Sequence, residues 1–126
     1  MRISIFGLGY VGAVTAGCLA RQGHSIVGVD LQPSKVEMFN EGIPPIIEPG
    51  LEGLLKSAKA ANRLRATTRC DDAINATEAS IVCVGTPSQP HGALDLGYVH
   101  GVVEEIGNAL RRKTRSHGAA LPILAS

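Results

Sequence analysis

The chain opens on a short β-rich run, residues 2–6 (RISIF), that stops at Gly7, and from residue 10 to residue 22 small and apolar side chains continue in a form that fits a buried helix. Strand, turn and helix are the first unit. A second strand is expected over 25–29 (SIVGV), ending at Asp30, and a short helix over 34–40, beginning near Pro33. Residues 41–50 (EGIPPIIEPG) hold three prolines and two glycines, which predicts a structured loop. From 51 to 62 the apolar positions Leu51, Leu54, Leu55 and Ala58 match the helical i, i+3, i+4, i+7 pattern, with Lys56 and Lys59 outside it. A short strand over 64–68, a short helix over 70–76, a buried strand over 79–84 and a helix over 95–113 complete the series. Such alternation is how a parallel sheet covered on both faces is written, so the fold class is α/β.

Composition narrows the possibilities. At 126 residues the chain has the size of one domain, and 44% hydrophobic against 18% charged residues excludes disorder. The net charge of +1 creates no global field for nucleic acid or an anionic membrane, so neither is an expected partner. The densest charge cluster, Arg111-Arg112-Lys113-Thr114-Arg115, sits where cations complement a helix C-terminus and lacks an aromatic platform. Cys18, Cys70 and Cys83 are odd in number, widely spaced and unclustered with His24, His91, His100 or His117, which argues against disulfides and zinc and for a reducing, cytoplasmic setting. Each thiol reads as a small apolar side chain, Cys18 facing helix packing behind the first turn and Cys83 inside a buried strand. Residues 3–20 carry no charge, yet Gly7, Gly9, Gly12 and Gly17 interrupt any apolar core of a signal peptide, so secretion is not expected.

Fifteen glycines make up about 12% of the chain, against roughly 7% in average proteins, and the excess has a local use. Gly7-Leu8-Gly9-Tyr10-Val11-Gly12 is a G-x-G-x-x-G across the first strand–helix turn. Gly7 allows the tight turn, Gly9 lets a pyrophosphate approach the backbone, and Gly12 lets helix and strand pack closely. Unpaired N–H groups at the helix start and the helix dipole then favour phosphate. Asp30, eighteen residues after Gly12, has a carboxylate that suits the hydroxyls of an adenosine ribose; the same residue also serves as a strand-end turn or helix cap. Leu31, Gln32 and Pro33 follow with no Arg for a 2′-phosphate, so NAD is expected over NADP. Lys35 reads either as a second ribose contact or as a solvated lysine. Thr86, in the Gly85-Thr86-Pro87-Ser88 loop after the fourth strand, is either a cofactor contact near the nicotinamide-side ribose or pyrophosphate, or an ordinary turn residue. The expected architecture is a Rossmann-like doubly wound parallel sheet.

Taken together, these segments resemble the UDP-glucose/GDP-mannose dehydrogenase family. The resemblance rests on residues 1–14 (MRISIFGLGYVGAV), Ala16-Gly17-Cys18-Leu19, Gly28-Val29-Asp30, Glu48-Pro49-Gly50-Leu51, Cys83-Val84-Gly85-Thr86-Pro87-Ser88 and Leu94-Asp95-Leu96-Gly97-Tyr98, the last tilting it to the GDP-mannose side. It covers about residues 1–117. The resemblance implies a cytosolic NAD-dependent oxidoreductase of polysaccharide biosynthesis that takes the C6 alcohol of a nucleotide sugar to a uronate in two hydride transfers, and a homo-oligomer for the full-length protein. It also implies that Tyr10 and Val11 contact NAD, that Asp30 and Lys35 hold the adenosine ribose, and that Thr86 lies near the reactive end.

The family's thiol nucleophile, in a Gly-Gly-Ser-Cys-type motif, has no counterpart among Cys18, Cys70 and Cys83. The chain is therefore expected to supply the cofactor-binding part and to turn over no sugar alone, with no catalytic residue of its own. Residues 1–117 are expected to form the NAD-binding domain, and residues 118–126 a divergent tail from a truncated or frameshifted product, the sheet ending after about four strands. Pro122 falls where the family has a central strand, and Leu124 stands in place of a cofactor-contacting Thr. Two alternatives belong to other classes. One is a nucleotide-sensing regulatory module of the transporter-gating type, which shares the glycine turn, Gly23-His24 and Asp30 but leaves Glu48-Pro49-Gly50-Leu51 and the Thr86 loop unexplained. The other is a short pseudo-enzyme paired with full-length subunits.

Overall fold

The structure, a computed structural model, describes residues 1–84, 97–113 and 118–120. Strands β1 (Arg2–Phe6), β2 (Ser25–Val29), β3 (Leu64–Thr67), β4 (Ala79–Val82) and β5 (Gly118–Ala120) form one sheet in the order β3-β2-β1-β4-β5, with every neighbouring pair parallel. Between them run α1 (Tyr10–Arg21), α2 (Pro33–Asn40), α3 (Leu51–Ala60), α4 (Cys70–Ala76) and α5 (Gly97–Arg112). The elements expected from hydrophobic patterning are all present, with ends shifted by up to two residues. The helix expected to reach residue 62 stops at Ala60, and the chain turns through Asn62 at φ 58°, a left-handed conformation that asparagine tolerates.

Strand alternation divides the side chains between two cores, as a doubly wound sheet requires. On one face Ile3, Ile5, Ile26, Leu64 and Ala66 pack with Ala13, Ala16 and Ala20 of α1, Val36 and Phe39 of α2, and Leu51 and Leu55 of α3. On the other, Phe6, Val27, Val29 and Val82 pack with Ala73 and Ile74 of α4 and Ile106 and Ala109 of α5. Each large apolar side chain fully buried in these layers contributes about 1.5–3 kcal/mol. The second face also buries three hydroxyls. Ser4 Oγ and Ser80 Oγ are 2.6 Å apart, and Thr77 Oγ1 lies 3.1 Å from Ser4 Oγ while donating to the Ala73 carbonyl at 2.8 Å.

The four strands expected are present, and a three-residue fifth is added at the edge, where Gly118, Ala119 and Ala120 pair with Ala79, Ser80 and Ile81. A parallel pair needs only backbone in register, and Pro122 lies beyond those residues. Cys18 does not face helix packing. It is exposed, because the buried stripe of α1 is Gly12, Ala13, Ala16, Gly17 and Ala20, and residue 18 projects away from that stripe. Among the described residues no helix is long and apolar enough to cross a membrane.

Candidate functional site

The sheet order places the carboxyl ends of β1 and β4 side by side, with their crossovers leaving to opposite faces. A crevice at such a switch point is where open α/β sheets bind ligands. The local chain is fitted tightly around it. Gly7 leaves β1 at φ +101°, its N–H donating to the Val29 carbonyl at 2.8 Å, and a Cβ there would lie 2.7 Å from the Cys83 carbonyl oxygen. At Gly12 a Cβ would lie 1.7 Å from the Gly7 carbonyl oxygen, so the first turn of α1 rests directly on the loop. Only glycine fits these two places.

Gly9 differs from both. It is the N-cap of α1, and a Cβ added there would meet nothing within 4 Å. No side chain caps α1, and its first turn holds no acidic residue. Open space therefore faces backbone N–H groups at the positive end of the helix dipole, which is what an anion requires. Across the crevice, Asp30 follows β2. Its Oδ2 accepts the Leu8 N–H at 2.9 Å and its Oδ1 accepts the Gln32 N–H at 3.0 Å, so the carboxylate is fixed to the glycine turn while its remaining lone pairs stay available.

The cavity over these groups has a volume of about 530 Å³. Of the residues singled out in the sequence, Gly7, Gly9, Tyr10, Val11, Asp30 and Lys35 line it. Gly12 stands behind the turn and acts through its contact with Gly7. Thr86 lies outside the described residues. The ends of β1 and β2 add to the lining, and sequence reasoning did not foresee Thr68 just past β3, Cys83 and Val84 just past β4, or a wall from α5 made of Gly97, Tyr98, Gly101, Val102 and Glu105. Gly97 and Tyr98 belong to a segment that carries the family resemblance, but no local pattern points them at the crevice; the strand order brings the α5 wall there.

The thiols of Cys70 and Cys83 offer no nucleophile. Burial pushes the Cys83 thiol up, and burial, with Glu105 and Asp71 adding negative charge, pushes Cys70 up to about 11, so both are neutral at physiological pH. Among the described residues no group of three or more His, Cys, Asp or Glu is placed to hold a metal ion. The arrangement can bind a diphosphate and a vicinal diol together, the turn taking the anion and Asp30 the hydroxyls.

Comparison with known proteins agrees with that chemistry. The model of the UDP-glucose/GDP-mannose dehydrogenase family, NAD binding domain, matches residues 1–116. GDP-mannose 6-dehydrogenase of Pseudomonas syringae pv. tomato is 55% identical over 117 residues, 93% of this chain and 27% of that protein. UDP-glucose 6-dehydrogenase AglM of Haloferax volcanii is 42% identical over a stretch covering the same shares. Among solved structures, a ternary complex of GDP-mannose dehydrogenase from Pseudomonas aeruginosa superposes with a TM-score of 0.94 at 50% identity, over 96% of this chain and 28% of that one. The chain thus spans about a quarter of the length of the curated relatives it matches.

Proposed function

The chain belongs to the UDP-glucose/GDP-mannose dehydrogenase family and carries its NAD binding domain, and from that premise we propose how its residues hold the cofactor. The N–H groups at Gly9, Tyr10 and Val11 receive the pyrophosphate, with Gly7 and Gly12 shaping the turn. Asp30 accepts hydrogen bonds from the adenosine ribose hydroxyls, Lys35 approaches the same ribose, and Thr86 serves the nicotinamide end. The single observation that carries this reading is the pairing of an uncapped, unobstructed helix start at Gly9 with a carboxylate already fixed to that turn. When bound, NAD supplies the two-electron acceptor for oxidation of an alcohol.

For the whole protein we propose a cytoplasmic, homo-oligomeric nucleotide-sugar 6-dehydrogenase acting on GDP-mannose or UDP-glucose in polysaccharide biosynthesis. GDP-mannose is favoured by the higher identity to the GDP-mannose enzymes, 55% against 42%. Burial favours the protonated form of Cys70 and Cys83 and no residue of this chain takes a catalytic role in this reading, so it binds cofactor and by itself leaves the sugar unoxidised.

Titration of the purified chain with NAD and NADP tests the reading. NAD is the tighter ligand, because a 2′-phosphate meets the Asp30 carboxylate. Asp30→Ala weakens NAD roughly ten-fold or more and removes the preference. Equal affinity of the unaltered chain for both cofactors overturns it. GDP-mannose with NAD yields no reduced cofactor from this chain; turnover would overturn the account of what it lacks.

A further inference from the structure

The residue between the first two glycines behaves unlike its neighbours. Gly7, Gly9, Tyr10 and Val11 line the cavity, but the Leu8 side chain does not; it points inward and is fully buried. It settles over Gly28 of β2. A Cβ on Gly28 would lie 2.8 Å from Leu8 Cδ2, 3.1 Å from Leu8 Cδ1 and 3.3 Å from Phe39 Cε1. Phe39 is itself fully buried, so Leu8 occupies a socket with no spare room, bounded by Phe39 and floored by a residue that has no side chain. The backbone of Leu8 meanwhile points its N–H at Asp30 Oδ2 at 2.9 Å. One residue therefore ties the glycine turn, β2 and the carboxylate together.

We propose that Leu8 is a positioning residue for cofactor specificity: its side chain, seated on Gly28, sets the depth and orientation of the glycine turn and so holds the N–H that aims the Asp30 carboxylate into the crevice. The inference rests on the reading that Asp30 meets the ribose. A carboxylate anchored on one oxygen by Leu8 and on the other by the Gln32 N–H has a single orientation, in which a ribose diol is accepted and a 2′-phosphate is repelled. Without the Leu8 anchor the carboxylate hangs on the Gln32 contact alone and rotates, and discrimination falls even though no atom that touches the cofactor has changed. Gly28 belongs to the same device. A Cβ there forces the end of the Leu8 side chain to shift.

The test measures NAD and NADP affinity, with thermal unfolding alongside, for the unaltered chain, Leu8→Ala, Gly28→Ala and the volume-conserving Leu8→Met. Leu8→Ala opens a core cavity, so Gly28→Ala, which disturbs the same contact by filling space, provides the second route if that variant fails to fold. The expected result is a roughly ten-fold loss of NAD affinity in both alanine variants, with little change for NADP, so that the preference collapses; Leu8→Met keeps it. A merely structural role would weaken NAD and NADP in equal proportion and leave their ratio intact. That outcome, or unchanged NAD binding in a folded Gly28→Ala variant, overturns the proposal. Failure of the underlying reading looks different: the unaltered chain itself would show no preference for NAD.

Discussion

The two walls of the crevice are built on opposite principles. On the β1–α1 side, backbone meets backbone with no slack: Gly7 against Cys83, Gly12 against Gly7, and Asp30 bonded to the Leu8 N–H. On the α5 side, the residues that face the cavity make few demands. A Cβ added at Gly101 would meet nothing within 4 Å, and Tyr98 is 59% exposed. The buried anchors of α5 lie further along, at Ile106 and Ala109, aided by an Arg112–Asp71 ion pair at 2.6 Å and by Lys113 donating to the Ile74 and Thr77 carbonyls. One wall is fixed at the crevice itself, and the other is fixed by its far end. Discrimination between related cofactors belongs on the first wall, because a group can select only when its own position is settled.

The largest effect expected from this contrast is that of Gly12→Ala. A methyl group 1.7 Å from the Gly7 carbonyl oxygen forces the glycine turn and α1 apart, at a cost of about 3 kcal/mol or more. Thermal unfolding and NAD titration should show both a marked loss of stability and loss of binding. Retention of both would mean that the turn is as yielding as the α5 wall. Gly101→Ala, also at the crevice, should act in the other direction. With open space around it and a helical backbone, alanine there should raise stability by up to about 1 kcal/mol, read as a higher melting temperature. A melting temperature that falls instead would show that the α5 wall is closely fitted after all.

The smallest expected effect uses Cys70 as a reporter of where α5 stands. Its thiol is pushed up to about 11 first by burial and then by the charge of Glu105, a cavity-lining residue of α5. Glu105→Gln should therefore lower the midpoint of its thiolate titration, followed by ultraviolet absorbance against a Cys70→Ala control. The sign for stability follows. Between the ordinary value of 9.0 and about 11 the unfolded chain has released a proton that the folded chain retains, so this contribution to stability is lost as pH rises through that window. An unchanged midpoint in Glu105→Gln would place α5 too far away to influence Cys70. Below pH 9 the exposed Cys18 should be the thiol that alkylating reagents modify first.

The tight wall was mostly readable from the sequence and the loose one was not. Gly7, Gly9, Gly12 and Asp30 announce themselves because a strand, a turn and a second strand at fixed separations leave few other roles for them. Leu8 was invisible as a special residue. It reads as an unspecified apolar position of the motif, and what distinguishes it is a glycine twenty residues later in a neighbouring strand. The α5 wall is a tertiary consequence of placing β4 beside β1, which local periodicity does not encode. Cys18 misled because a helix so rich in alanine and glycine shows little contrast between its inner and outer faces. The three residues of β5, Gly118-Ala119-Ala120, are too few and too small to carry a strand pattern of their own.

The buried hydroxyls of Ser4, Thr77 and Ser80 bear on the order in which the molecule assembles. They join the first strand to residues more than seventy positions later, and β4 is an immediate neighbour of β1 at the centre of the sheet. Closing so long a stretch of chain is entropically costly and slow beside the nearby β1–β2 pairing. Until β4 arrives, Ser4 has no hydroxyl to meet; once it does, a slip of one residue would place Ser4 opposite Ala79 or Ile81 in place of Ser80. The trio thus acts as a checkpoint on the late step of folding, accepting one alignment of the two central strands and penalising its neighbours. The same step brings the carboxyl ends of β1 and β4 together, so the crevice cannot form before it.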